Sequence, residues 1–322
     1  MSTIHTVLGA AGTIGQQLVP VLAELGVPVR AVTRGPSAPR PGVDPVVADV
    51  TTVEGARRAV EGSHTVYVCV QPAYTRWVEE FPALVGTIAD AATAAGSRLV
   101  MLDNLYGYGS TMQRLTEQTP QDATSRKGRV RAGIARDLLA RSARGELEVS
   151  IGRAADFVGP TGTSVPNLLT VQPVAAGKKG RWLGRLDRPH SLSATADVAR
   201  FLAVLGTHDH AFGRAWHLPV AGSPTGREFV ELAHRLGGVD ASPGLVTPLM
   251  NRMAGLFNGV VREGNELMHQ WTEPFVVDDS AFRAAFPGQV PTPLANAVSA
   301  ALAGGRSPRP ATTPRTTPPH LP

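Results

Sequence analysis

A chain of 322 residues is long enough for one large or two modest domains with a sizeable core. Its 43% hydrophobic and 18% charged residues exclude a disordered or fibrous protein. Lys and Arg number 31 against 26 Asp and Glu, a net of +5 spread along the chain, and this excludes the clustered basic footprint of a nucleic-acid binder.

From the first residues, short β-branched runs alternate with longer Ala/Leu-rich stretches, the pattern of βαβ units on a parallel sheet. Strands are predicted over 3–8, 27–33, 44–48, 65–70, 98–102 and 147–152, with helices over 13–25, 53–61, 77–95 and 128–144. The fold class that follows is α/β, a doubly wound parallel sheet with a smaller C-terminal lobe. After Arg153 the texture turns to Gly/Pro-rich loops with helical candidates at 196–205, 227–236 and 294–303. The expected division is a nucleotide-binding domain over 1–160, a substrate lobe over 161–304 that returns some elements to the sheet, and a disordered Pro/Thr-rich tail over 305–322. The lone Cys69 excludes an internal disulfide and fits a reducing setting. With no leader-like N-terminus and no uninterrupted apolar run of about 18 residues, a cytoplasmic, unanchored protein is expected.

Between the first strand and the first helix lies Val7-Leu8-Gly9-Ala10-Ala11-Gly12-Thr13-Ile14-Gly15. Gly9 suits a tight turn, Gly12 a close approach of backbone to pyrophosphate, and Gly15 close packing of helix on strand; the amides of Ala11, Thr13 and Ile14 open the helix with its positive dipole end. Dinucleotide binding is the expectation. At the end of the second strand, Val32-Thr33-Arg34 lacks the acid that usually meets an unphosphorylated ribose. Arg34 is suited to a 2′-phosphate, which favours NADP over NAD; otherwise it is a solvated loop charge.

The G-x-x-G-x-x-G spacing resembles the nucleotide loop of the short-chain dehydrogenase/reductase superfamily, and further blocks resemble its extended, epimerase/dehydratase-like branch: the runs at 153–160 and 190–199 and the turn at 291–294. The resemblance implies that Asp49 and Val50 contact adenine and that Val70 and Gln71 border the nicotinamide ribose. It also implies a Tyr-x-x-x-Lys pair, which is missing. The residues four beyond Tyr67, Tyr74, Tyr106 and Tyr108 are Gln71, Val78, Ser110 and Met112. By the same match Lys127 stands for the tyrosine and Arg131 for the lysine. Arg131 is then expected to hold ribose hydroxyls and to push Lys127 toward a neutral amine able to act as acid or base; otherwise the two form a solvated face.

The fifth-strand end resembles the branch's catalytic stretch, with Asn104 in the place of the hydroxyl residue and Tyr106 in that of an acid/base glutamate. Tyr106 is expected either to donate a proton or to plug the cleft, Asn104 to bond a carbonyl oxygen, Asp103 to cap a loop and Tyr108 to pack. Lys178, Lys179, Arg181 and Arg185 read as a polar turn. The apolar stretch 243–257 and the aromatic Trp182 and Trp271 line a pocket for an apolar or aromatic substrate, or belong to core or dimer packing. His190, His217, His234 and His269 show no metal-ligand spacing and read as structural or exposed.

The expected function is NADP(H)-dependent oxidoreduction of a small carbonyl-containing metabolite, with catalytic Tyr106, Asn104 and Lys127 and no metal. The alternatives are a non-catalytic NADP(H) sensor and a non-redox lyase or isomerase. No nucleic-acid or membrane partner is expected, and a homodimer is an open option.

Overall fold

The computed structural model describes residues 3–36, 38, 40–110 and 112–306, without the side chain of Arg306. Residues 307–322 of the expected tail lie outside the described residues.

The N-terminal half runs β1 (Ile4–Leu8), α1 (Gly15–Glu24), β2 (Val29–Thr33), β3 (Val43–Val47), α2 (Val53–Val60), β4 (Ser63–Val68), α3 (Trp77–Ala94), β5 (Arg98–Asp103), α4 (Arg126–Ala143) and β6 (Val149–Arg153). Each expected element is present, its ends within a few residues. The rest is finer grained: β7 (Asp156–Val158), α5 (Gln172–Ala175), β8 (Arg181–Leu183), β9 (Leu192–Ala194), α6 (Thr195–Thr207), β10 (Arg214–His217), α7 (Gly226–Gly237), β11 (Gly244–Val246), α8 (Pro248–Ala254), α9 (Gly259–Gly264), α10 (His269–Thr272), α11 (Ser280–Ala285) and α12 (Leu294–Arg306).

Seven strands form one parallel sheet in the order β10-β6-β5-β4-β1-β2-β3. The order reverses between β1 and β4, and a doubly wound sheet opens a crevice at the carboxyl ends of the strands at that point. Pro45 lies in β3, at the sheet edge, where a missing N–H breaks no ladder bond. Runs such as Val66-Tyr67-Val68 are buried on both faces, as a covered parallel sheet requires. One face packs on α2, α3 and α4 through Val85, Ile88, Ala135 and Leu138. The other packs on α1, α6 and α11 through Leu18, Leu22, Leu202 and Phe282.

Two parallel pairs, β7 with β9 and β8 with β11, lie outside this sheet. With α7 and α12 they enclose a separate core of Val174, Trp182, Phe229 and Val298. Caps fix where the helices start. Thr52 and Ser125 hydroxyls accept the N–H groups of Gly55 and Gly128, and Thr225 and Glu228 form a reciprocal capping box on α7. Buried Asp197 on α6 accepts both the N–H and the hydroxyl of Thr292, which pins the 291–294 turn to the sheet side of the molecule.

Candidate functional site

The glycine loop follows β1 directly. Gly9 has φ +81°, and a Cβ there would lie 2.8 Å from the Cys69 carbonyl oxygen at the end of β4. A Cβ on Gly15 would lie 2.2 Å from the Gly9 carbonyl oxygen, so the helix closes onto the turn only because no side chain intervenes. Gly12 donates to that same carbonyl at 2.9 Å, and a Cβ on it would approach to 3.2 Å. Among the described residues, the N–H groups of Ala11, Thr13 and Ile14 have no backbone acceptor, and no side chain caps α1. Free amides at a helix start fit the diphosphate of a dinucleotide. Arg34 is exposed just beyond β2, and exposed Asp49 lies within reach of its charge. Hydrogen bonds from Thr51 chiefly hold the Asp49 carboxyl below its ordinary range. Val50 is buried, whereas Val70 and Gln71 follow the β4 end at the crevice.

At the neighbouring strand end the two cations of α4 take different partners, and neither arrangement matches the expected mutual coupling. Lys127 has no exposed side-chain surface, forms an ion pair with Glu263 of α9 and lies 3.6 Å from Glu266. Its ammonium also sits 4.7 Å above the Tyr74 ring. The side chain is therefore no solvated face. Arg131 is equally buried and donates to Asp103 and Gln71, both at 3.2 Å, beneath the rings of Trp77 and Phe81. Asp103 therefore caps no loop. It sits between Arg131 and Arg153, the latter at 3.4 Å, and Arg153 donates on to the Tyr108 hydroxyl at 2.6 Å. Tyr108 is buried, as expected of a packing residue, and burial pushes its phenol up to about 12.

Asn104 accepts the Tyr106 N–H at 3.1 Å through its side-chain oxygen, which fixes the turn that presents Tyr106. Tyr106 packs 6.0 Å from Trp77 and is linked to Tyr74 by a side-chain hydrogen bond. Burial drives the Tyr106 hydroxyl well above its ordinary range; Tyr74 and Asp156 add to the rise, while the Arg131 charge opposes it. Tyr74 rises for the same first reason.

Sequence reasoning passed over Tyr74, Asp156 and Glu263. Asp156 occupies the 153–160 run, and its carboxylate meets His190 Nε2 at 2.8 Å. His190 is thus buried and bonded at both nitrogens, as are His234, which ties Gly180 to Ala241, and His217, which bonds Tyr108 and Asp278. The signal for Asp156 was its position three residues beyond a strand that ends in the crevice; Glu263 carried none. Trp182 and Trp271 are buried in the lobe core. In the stretch 243–257, by contrast, Leu249, Met250, Met253, Leu256 and Phe257 face outward, so these side chains do not fill a core. Lys178 and Lys179 are exposed on the turn before β8, exposed Arg181 opens β8 itself, and Arg185 pairs with Asp187 at 2.7 Å.

Residues 9–143 match a family model described as NAD(P)H-binding. No curated protein matches the sequence. Among solved structures, the chain is similar to MoeE5 in complex with UDP-glucose and NAD, at 19% identity over 94% of this chain and 98% of that one, with a TM-score of 0.74. It is similar also to UDP-N-acetylglucosamine 4-epimerase from Bacillus cereus, at 14% identity over 95% and 100% of the two chains and TM-score 0.73. A third is DesIV, the dTDP-glucose 4,6-dehydratase from Streptomyces venezuelae with NAD and TYD bound, at 19% identity over 94% and 97% and TM-score 0.74. No helix among the described residues is long and apolar enough to cross a membrane. With an NAD(P)H-binding match over residues 9–143 and that likeness along nearly its whole length, the chain has a Rossmann fold.

Proposed function

We propose that this protein is an NADP(H)-dependent reductase of a small, uncharged carbonyl compound. The observation that carries the reading is the Tyr106 hydroxyl, desolvated at the carboxyl end of β5 beside Asn104 in a fold whose glycine loop offers free amides. Gly9, Gly12 and Gly15 shape the diphosphate seat and the Ala11, Thr13 and Ile14 amides bond it. Arg34 takes the 2′-phosphate, Asp49 and Val50 border adenine, and Val70, Gln71 and the Arg131 pair border the nicotinamide ribose. When bound, the reduced nicotinamide supplies a hydride to the carbonyl carbon.

The chain's own part is to hold the oxygen and protonate it. Asn104 keeps its amide nitrogen for the substrate oxygen, since its side-chain oxygen is taken by the Tyr106 N–H. A phenol held well above its ordinary range keeps its proton near neutral pH, so Tyr106 serves as an acid toward a nascent alkoxide and is poorly suited as a base. That favours reduction over oxidation. Arg131 acts on Tyr106 in the sense a paired lysine would, but desolvation outweighs it. Lys127 then braces the site instead of reacting.

Charge balance supports an uncharged substrate. Lys127 and Arg126 pair with Glu263 and Glu266, whereas Arg131 and Arg153 share the one carboxylate of Asp103, so among the described residues these four cations face three carboxylates and a single positive charge is left over. The diphosphate of a sugar nucleotide carries two negative charges and needs more than that one. The test is NADPH oxidation against a panel of neutral aliphatic and aromatic carbonyl compounds, with UDP-glucose as the charged comparator. Turnover is expected for neutral members and to fall at least about a hundredfold in Tyr106→Phe. Tight NADPH binding without turnover would favour a nucleotide sensor, a reading that the loss of the Tyr-x-x-x-Lys pair supports.

A further inference from the structure

Helix α1 carries a proline, Pro20, in its interior. Proline has no N–H to give the carbonyl four residues back, so the Gln16 carbonyl loses its usual donor within the helix. Arg40 donates to it instead, with Nη1 at 3.4 Å from the Gln16 carbonyl oxygen. Gln16 is itself held at both ends: its N–H donates to the Gly12 carbonyl at 3.1 Å and its side-chain amide to Thr161 at 3.0 Å. An arginine from the segment that links β2 to β3 is thereby fixed on the first turn of α1, directly after the glycine loop.

The end of β2 abuts the same loop. The Val32 carbonyl accepts the N–H groups of Gly9 and Ala10 at 3.2 and 3.1 Å, and Arg34 follows two residues later. Two exposed arginines therefore flank the diphosphate seat, Arg34 from the strand end and Arg40 from the first turn of the helix. Neither forms an ion pair among the described residues. The carboxylates of β3 and its end are committed elsewhere: Asp44 pairs with Arg30, and Asp49 accepts the N–H and the hydroxyl of Thr51 at 3.1 and 2.7 Å. A phosphate monoester carries about 1.5 to 2 negative charges near neutral pH, which two guanidinium groups balance and one does not. An arginine has more N–H donors than the one that Arg40 gives to Gln16, so the rest can meet a phosphate.

We propose that Arg40 is a second specificity residue for NADPH over NADH, binding the 2′-phosphate together with Arg34, and that Pro20 positions it by leaving the Gln16 carbonyl open to its guanidinium. The inference rests on the NADP(H) reading above and extends it from one arginine to a pair. Arg40 is the group that meets the phosphate. Pro20 is a positioning residue that acts only through Arg40.

The test is calorimetric titration of the full chain with NADPH and with NADH, for the wild type, Arg40→Ala, Pro20→Ala and the double variant. Arg40→Ala is expected to weaken NADPH at least about tenfold and to leave NADH as it was. Pro20→Ala removes no charge. It returns an N–H to the helix, which then competes with Arg40 for the Gln16 carbonyl. NADPH is expected to weaken about three- to tenfold as the arginine loses its anchor, while NADH affinity holds and the melting temperature does not fall. In the Arg40→Ala background the same proline substitution is expected to have no further effect on NADPH, because its route runs through the missing guanidinium. An Arg40→Ala variant that keeps wild-type NADPH affinity, or that loses both nucleotides equally, overturns the second arm. Pro20→Ala with unchanged NADPH affinity, or with the same loss in both backgrounds, overturns the positioning role. If the wild type prefers NADPH and only Arg34→Ala abolishes the preference, the arginine pair falls and the NADP(H) reading stands. If the wild type binds NADH as tightly as NADPH, the NADP(H) reading falls and takes the pair with it.

Discussion

A methyl group on residue 15 would intrude on the Gly9 carbonyl at 2.2 Å, against backbone that cannot yield without reshaping the loop. Gly15→Ala is therefore expected to cost about 1 to 3 kcal/mol of stability and to weaken NADPH binding at least about tenfold, read by denaturant unfolding and by calorimetry. At residue 34 the effect is one of selectivity. Loss of a charge-assisted contact to a 2′-phosphate costs about 1.5 to 3 kcal/mol, so Arg34→Ala should weaken NADPH by one to two orders of magnitude and leave NADH unchanged. Equal loss for both nucleotides would place Arg34 outside the phosphate site. Glycine roles are legible in a sequence because they are local. The role of Asp103 is not, since its carboxylate is shared by Arg131 and Arg153, 28 and 50 residues away.

Helix α4 was predictable from its periodicity, but what it carries on its first turn depends on α9, a short helix with little periodic signal. Lys127 is fully buried, and its charge is tolerated because Glu263 and Glu266 meet it. Removing both carboxylates should be worse than removing the lysine. Glu263→Gln/Glu266→Gln leaves a buried cation unpaired and is expected to cost about 3 to 5 kcal/mol, whereas Lys127→Met leaves two partly exposed carboxylates beside Arg126 and should cost less. Denaturant unfolding of the two variants checks the order. The reverse order would mean that Lys127 draws its stability from packing on Tyr74 instead of from α9.

The whole molecule reports its buried histidines through its acid stability. Burial chiefly, with the charges of His64 and Arg98, pulls His5 from 6.5 down to about 4, and burial lowers His217 and His269 as well. Between those two pH values the unfolded chain binds more protons at residue 5 than the folded protein does. Stability contributed by neutral His5 is thus complete above about pH 6.5, declines as the pH falls and is exhausted below about 4. Melting temperature measured across that window should drop, and His5→Gln should flatten part of the slope; an unchanged slope would assign it to the other histidines. By itself the sequence determined the doubly wound sheet, the glycine loop and the missing Tyr-x-x-x-Lys pair, because strand and helix periods, turn glycines and i,i+4 spacings are all local. Tertiary structure decided which charges meet. Asp156 finds His190 across 34 residues and Lys127 finds Glu263 across 136, and spacing along a chain says nothing about pairs that only packing brings together.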